Sequence, residues 1–296
     1  MQRFIDPSTR RKRKIIADRI STVDGVPVFS IVEFNIHGSC TRACPFCPFY
    51  DPAVYKKNPV AMDFGLYQKI IRELESIQYA GKILYSGFCE PLLNKHITEF
   101  IAFTRKTLPN SRIEMVTNGD LLTKEVLLSL LDASLDTINI SIYDGPAEAK
   151  QFELLVEEAN VPEGAVVLRR RYKTETNFGM TISNRSGLIN SNAYRDENET
   201  PPELPLHQPC YYPFYMIMVD VDGSPLLCPH DWKKLSGLGN LKTESLLSVW
   251  NSKKMNAWRK RLINCKRDFD PCALCDVDGL VMGEEHFQLW RESLGE

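Results

Sequence analysis

The chain contains no apolar stretch long enough to span a bilayer. Its N-terminus, MQRFIDPSTRRKRK, lacks the apolar core of a secretory signal. It has no strong excess of either charge: the formal net charge is −2, which gives no global pull toward nucleic acid or an anionic membrane. No short-period repeat or long low-complexity run interrupts the 296 residues. These absences argue against a repeat array or a spanning protein. They lead us to expect a cytoplasmic globular chain with neither nucleic acid nor membrane among its partners. One local exception is the basic run Arg10, Arg11, Lys12, Arg13 and Lys14. It reads as a solvated surface segment, with a binding arm as the alternative.

Cysteine, by contrast, is not scarce: there are nine. Disulfides are disfavoured in the cytosol, so clustered cysteines there point to metal. Cys40, Cys44 and Cys47 form a Cys-x3-Cys-x2-Cys triplet. Cys210, Cys228, Cys272 and Cys275 form a second set that closes with Cys-x2-Cys, while Cys89 and Cys265 stand apart. Three thiolates on a four-iron cluster leave one iron open for chemistry. Zinc is the alternative, closed by a fourth ligand such as the nearby His37. The second set can close either a cluster or a zinc site.

The hydrophobic pattern places these residues. Residues 29–36, 82–85, 113–116, 137–142 and 165–168 read as strands. Residues 64–78, 97–107, 123–131 and 147–159 read as helices between them. Repeated strand–helix units predict an α/β fold with a parallel sheet, whose sites gather at the C-terminal strand ends. The cysteine triplet follows the first strand, Gly87 to Pro91 the second, and Thr117 and Asn118 the third, while Ser141 and Tyr143 close the fourth. Residues 184–210 break the pattern as a linker or long loop. Asp222-Gly223 between apolar runs then signals a hairpin, and residues 246–262 read as one helix. The expected division is an N-terminal extension (1–28), a core domain (29–205) and a small metal-stapled unit (206–296).

The segment Cys40-Thr-Arg-Ala-Cys44-Pro-Phe-Cys47, with aromatic Phe46 before the last cysteine, resembles the radical S-adenosylmethionine (SAM) superfamily. The resemblance implies a partial (β/α)6 TIM-like barrel. It also implies a [4Fe–4S] cluster whose open iron chelates SAM, and formation of a 5′-deoxyadenosyl radical that removes a substrate hydrogen. Ser86-Gly87-Phe88-Cys89-Glu90-Pro91 looks like the family's SAM-amino segment, with Gly87 and Glu90 as binding residues. Cys89 departs from the usual small residue and brings a thiol close to the cofactor. Asn118 and Ser141 look like ribose or substrate contacts. One of Arg169, Arg170 and Arg171 after the fifth strand is expected to meet the SAM carboxylate, with Arg169 the first candidate and at least one of the three a surface charge.

The second cysteine set, with Gly239-Asn240-Leu241 and Leu246–Trp250, resembles the hairpin-plus-helix SPASM/twitch domain. That implies a second, auxiliary [4Fe–4S] cluster on Cys210, Cys228, Cys272 and Cys275, acting in electron transfer, in steadying the pocket, or as a structural staple. Cys265 is left as a ligand, a hydrogen-atom donor or a bystander.

Short twitch members act largely on aminocyclitols and sugars. The expectation is therefore an oxidoreductase or epimerase acting at a carbinol carbon of a sugar, aminocyclitol or sugar nucleotide. An external donor such as flavodoxin or ferredoxin would supply the electron. Peptide-modifying members often carry a leader-binding domain, for which the 28 residues before the first strand leave little room. A peptide maturase and a non-catalytic zinc module are the alternatives.

Overall fold

The structure, a computed structural model, describes residues 8–18, 20–172, 182–195 and 200–296. Helix α1 (Ser8–Asp18) leads into a two-stranded ribbon, β1 (Thr22–Val23) and β2 (Val26–Pro27). Four strand–helix units follow: β3 (Ile31–Phe34) with α2 (Phe64–Ser76), β4 (Lys82–Tyr85) with α3 (Ile97–Thr107), β5 (Arg112–Thr117) with α4 (Lys124–Asp132), and β6 (Thr137–Ile142) with α5 (Pro146–Ala159). Strand β7 (Val166–Arg170) completes the run. The C-terminal part holds α6 (Tyr212–Tyr215), β8 (Met216–Val219), β9 (Pro225–Leu226), α7 (Leu246–Trp250), α8 (Lys253–Ile263) and α9 (Glu284–Ser293).

Alternation along the strands explains the layers. Val32, Phe34, Ile83, Tyr85, Ile113, Met115, Ile138 and Ile140 point to one face, where they join Tyr67, Ile70, Ile71, Phe100 and Leu127 of the helices in one apolar core. Their neighbours Glu33, Val116 and Ser141 point the other way and line a cleft. Local signals set the helix starts. Asp63 accepts from the Leu66 N–H at 2.8 Å and Thr123 from the Val126 N–H at 3.3 Å.

The sheet order is β7-β6-β5-β4-β3-β8-β9. Strands β3 to β8 are mutually parallel, and β9 runs antiparallel at the edge. Five of the six parallel strands match the sequence reading. The sixth does not extend the β7 edge. It comes from the Asp222-Gly223 hairpin, whose first strand pairs with β3 in register Ile31↔Met216 to Phe34↔Val219. The hairpin was expected in a separate unit, but its apolar strand Met-Ile-Met-Val is buried on both faces, which suits the middle of a parallel sheet.

Two further expectations are revised. The single helix over 246–262 is broken: Ser252 is extended and caps a new helix by accepting from the Met255 N–H at 3.1 Å. The basic run is not simply a solvated surface, although the Arg10 side chain lies outside the described residues. Within α1, Arg11 Nε meets Glu114 at 3.0 Å, and Arg13 Nε donates to the Val281 carbonyl at 2.7 Å. Ile16 of the same helix packs with Ile31, Leu84, Tyr215 and Met216. Helix α1 is thus seated against the inner face of the sheet. No described helix is long and apolar enough to cross a membrane.

Candidate functional site

The C-terminal strand ends open into a cleft of about 960 Å³, its open mouth included. Cys40, Cys44, Phe46 and Cys47 line it from the loop after β3, and Ser86 to Glu90 from the loop after β4. Val116, Thr117 and Asn118 line it from β5, and Ser141 and Tyr143 from β6. Gly87 is at φ +97°, and a Cβ there would lie 2.2 Å from Asn35 Oδ1, so only glycine fits. The same Asn35 oxygen accepts from the Phe88 N–H at 2.6 Å, locking the loop.

The three thiols of the loop are half-buried. Desolvation, reinforced by the neighbouring sulfurs, pushes Cys44 up to about 12, and burial also raises Cys40 and Cys47. Such sulfurs stay protonated unless a cationic group joins them.

Glu90 is 1 % exposed. Its carboxylate accepts from the Thr117 hydroxyl (2.6 Å), the Leu92 N–H (3.1 Å) and the Asn118 N–H (2.8 Å). A carboxylate offers about four acceptor positions, so one remains for an ammonium donor. Burial raises the Glu90 pKa, and these donors pull against it.

Asn118, expected as a ribose or substrate contact, lines the cleft and also braces the cysteine loop. Its amide donates to Thr41 Oγ1 at 2.8 Å and faces Cys40 Sγ at 3.5 Å, and its Oδ1 accepts from the Asp120 N–H at 3.0 Å. Ser141 keeps its place in the cleft. Arg169 is not among the lining residues; its charge acts on Glu33 and Tyr143. Arg170 turns out to the Glu153 carboxylate at 2.9 Å.

Several cleft residues escaped the sequence reading. Arg42 bonds Asp120 (2.8 Å) and Glu148 (2.7 Å), and its pKa is raised as these carboxylates outweigh desolvation. Its guanidinium sits 5.4 Å from the Tyr143 ring, which packs on Phe46 at 5.4 Å. Glu33 is buried at the inner face. Desolvation raises its pKa against a Ser86 hydrogen bond and the charges of Lys12, Lys82 and Arg169. A lone carboxylate in the apolar run FSIVEFNI was the available signal for it. Trp232 arrives from the C-terminal part and stacks on Phe88 at 3.9 Å. Arg185 enters from the loop before it.

Cys210, Cys228, Cys272 and Cys275 line a second, narrow cavity of about 290 Å³, its open mouth included. Burial raises all four thiols, and Cys275 is pushed up to about 11. Arg267 opposes this with its charge at Cys210, Cys272 and Cys275, and its guanidinium donates to the carbonyls of Gln208, Pro209, Val277 and Asp278. Gly279 is required here, because a Cβ would lie 2.5 Å from Cys210 Sγ. Among the described residues no three such side chains meet closely enough to clasp a single ion. Three thiols line the cleft and four the second cavity, a donor set that suits thiolate-held multi-iron clusters.

His37 does not serve as a fourth ligand: its Nδ1 accepts from the Ser39 N–H at 3.2 Å, and it is not among the cleft's lining residues. Cys265 lines neither cavity. It occupies the left-handed turn after α8 (φ +58°), its thiol directed at the Ile263 carbonyl. The structure thus removes it from both cysteine sets and from the cleft. Cys89 does line the cleft, with its Sγ 3.5 Å from the Ser86 carbonyl oxygen.

The two cavities share a wall. Arg185 lines the cleft and Ser186 the second cavity; Pro229 lines the cleft and His230 the second cavity.

Comparison with known proteins agrees with this arrangement. The family described as the Radical SAM superfamily matches residues 34–167. An iron-sulfur cluster-binding domain, SPASM, matches residues 210–276. The S-adenosyl-L-methionine-dependent 2-deoxy-scyllo-inosamine dehydrogenase of Niallia circulans is 26% identical over 260 residues, 88% of this chain and 97% of that protein. The GTP 3′,8-cyclase of Mycobacterium ulcerans is 29% identical over 154 residues, 51% of this chain and 38% of that protein. Among solved structures, BtrN in complex with AdoMet and 2-DOIA superposes with a TM-score of 0.70 at 24% identity, covering 86% of this chain and 96% of that one, and shows the fold to be shared.

Proposed function

Because this chain belongs to the radical SAM superfamily and carries two [4Fe–4S] clusters and SAM as cofactors, we propose that it oxidises a carbinol carbon of a small polyhydroxylated substrate, an aminocyclitol or a sugar. The observation that carries the reading is the shared wall between the triplet-cysteine cleft and the four-cysteine cavity. The 26% identical relative, which spans nearly its whole length, is a dehydrogenase named for an aminocyclitol, and this supports the same class of substrate here.

Cys40, Cys44 and Cys47 are the ligands we assign to the SAM-binding cluster, and Cys210, Cys228, Cys272 and Cys275 those of the auxiliary one. When bound, the first cluster supplies the electron that splits the SAM sulfonium, and the second an acceptor for the electron left on the oxidised substrate. The protein's own part is to hold and to exclude. Glu90 keeps one acceptor position for the SAM ammonium. Phe46 and Tyr143 wall the adenosyl side, and Phe88 and Trp232 keep water from the reacting carbon. Glu33, raised by burial, is the carboxylate on the inner face suited to take the hydroxyl proton.

In this reading residues 29–205 form the core and residues 206–296 the auxiliary unit, although β8 of the latter completes the core sheet. A cytoplasmic location and an external one-electron donor of the flavodoxin or ferredoxin type complete it.

The test is anaerobic turnover with SAM, a strong reductant and polyols deuterated at the carbinol carbon, 2-deoxy-scyllo-inosamine included. Deuterium should appear in 5′-deoxyadenosine alongside a ketone. Cleavage of SAM with no label transfer from any polyol would remove the reading. The position of Cys89 in the cleft favours one second reading, epimerisation. That would give solvent hydrogen in an inverted alcohol, lost in Cys89→Ala.

A further inference from the structure

The charged residues lining the cleft divide into those already matched and one that is not. Arg42 faces Asp120, Asp144 and Glu148. Glu90 takes its three donors, and Glu33 lies in the field of Lys12, Lys82 and Arg169. Arg185 differs. Among the described residues no hydrogen bond or ion pair engages its side chain, and its Nε is buried without a partner. A second lining residue has the same defect: Trp232 Nε1 is buried and unpartnered. Guanidinium and indole N–H groups are donors only. Arg185 thus lines the cleft with a guanidinium that no described carboxylate engages, and such a group calls for a negatively charged ligand.

The backbone shows that Arg185 is held where it is. Arg185 and Ser186 are both left-handed, at φ +50° and +55°. Two successive non-glycine residues in that region are strained and persist only when their surroundings impose it. Here Asn184 imposes it: its N–H donates to Asp276 Oδ1 at 2.8 Å, and its Nδ2 donates to the Leu274 carbonyl at 2.6 Å. Those partners flank Cys275, so the loop that lines the four-cysteine cavity also fixes Arg185 in the cleft. The Arg185 charge is felt by Cys47, Tyr212 and His230, which places it between the two cysteine sets. Glu90, by contrast, lies beside Cys40.

We propose that Arg185, with Trp232, forms a binding site for an anionic substituent of the substrate, a phosphate or carboxylate, on the auxiliary side of the cleft. Resting on the reading above, this narrows the substrate to an acidic polyol: a sugar phosphate, a sugar nucleotide or a uronic acid. It adds an anionic group to the polyhydroxylated class proposed above.

The SAM carboxylate is the other anion that Arg185 could meet, and the experiment separates the two. Calorimetric titration of the anaerobically cluster-loaded, SAM-bound enzyme uses glucose 1-phosphate and glucuronate, each against glucose. At least one anion should bind tenfold or more tighter than glucose. That preference should vanish in Arg185→Gln and return in part in Arg185→Lys, with the SAM dissociation constant moving less than twofold. No preference in the wild-type enzyme, or a preference retained by Arg185→Gln, overturns the proposal. So does a tenfold loss of SAM affinity with the anion preference intact, which would give Arg185 to the SAM carboxylate. SAM cleavage is followed in the same samples. Its absence would count against the enzyme reading, while the binding arm still decides the role of Arg185.

Discussion

Glu90 Oε2 lies 2.8 Å from the backbone nitrogen of Asn118, tying the loop after β4 to the end of β5. Since Asn118 in turn holds Thr41 at 2.8 Å, one carboxylate organises two strand ends and the cysteine loop. Glu90→Gln replaces an acceptor by a donor among N–H groups. It should weaken SAM binding at least tenfold and cost about 1–3 kcal/mol of stability. Calorimetry and denaturant unfolding give the two values. Unchanged SAM affinity would leave Glu90 a purely structural link.

Arg267 is 2 % exposed and satisfies four backbone carbonyls around Cys210 and Cys275. Arg267→Ala strands those acceptors and removes a charge that favours three of the thiolates. Iron content should fall from about eight to about four per chain. Arg267→Lys should behave similarly, because an ammonium cannot span a guanidinium's fork of partners. Iron and sulfide analysis decides; full occupancy in the alanine variant would refute the role.

His286 reports on acid stability. Burial pushes its pKa down to about 4, and its Nε2 lies 2.8 Å from Ser30 Oγ. The unfolded imidazole takes a proton near pH 6.5 and the folded one does not. Its contribution is therefore complete above about pH 6.5 and is lost as the pH falls toward 4, with a slope of about 1.4 kcal/mol per pH unit. Urea unfolding between pH 7 and 5 should include this slope beside that of His230 and His37, whose pKa values burial also lowers, and His286→Gln should reduce the total by about 1.4 kcal/mol per pH unit. An identical slope in the variant would assign the acid sensitivity elsewhere.

Cys265 sits in the left-handed position after α8, φ +58°, and lines neither cavity. Glycine is the residue that position prefers. Cys265→Gly should stabilise the protein by about 0.5–1 kcal/mol and leave iron content and product stereochemistry untouched. A change in the product would return the thiol to the reaction.

The fold was legible wherever a pattern is local. Strand β4 and helix α3 lie where periodicity puts them, and the Asp222-Gly223 turn is present. Sequence reading failed where a contact joins distant segments. Nothing in Met216–Val219 states that it pairs with Ile31–Phe34, 185 residues earlier. A break as small as Ser252 is also invisible to helical spacing, because it depends on one capping bond.

The same division runs through the site. Cysteine spacing by itself picked out the triplet and the closing Cys272/Cys275 pair, because residues on one short loop are neighbours whatever the rest of the chain does, whereas the fold brings Cys210 and Cys228 to the same cavity as that pair. Only the tertiary structure could bring Glu33, Arg42, Arg185 and Trp232 into one cleft, assign the Asn118 amide to Thr41, and send Cys265 away. Parallel register and loop crossings decide which remote side chains share a cavity, and no chain-local spacing encodes them.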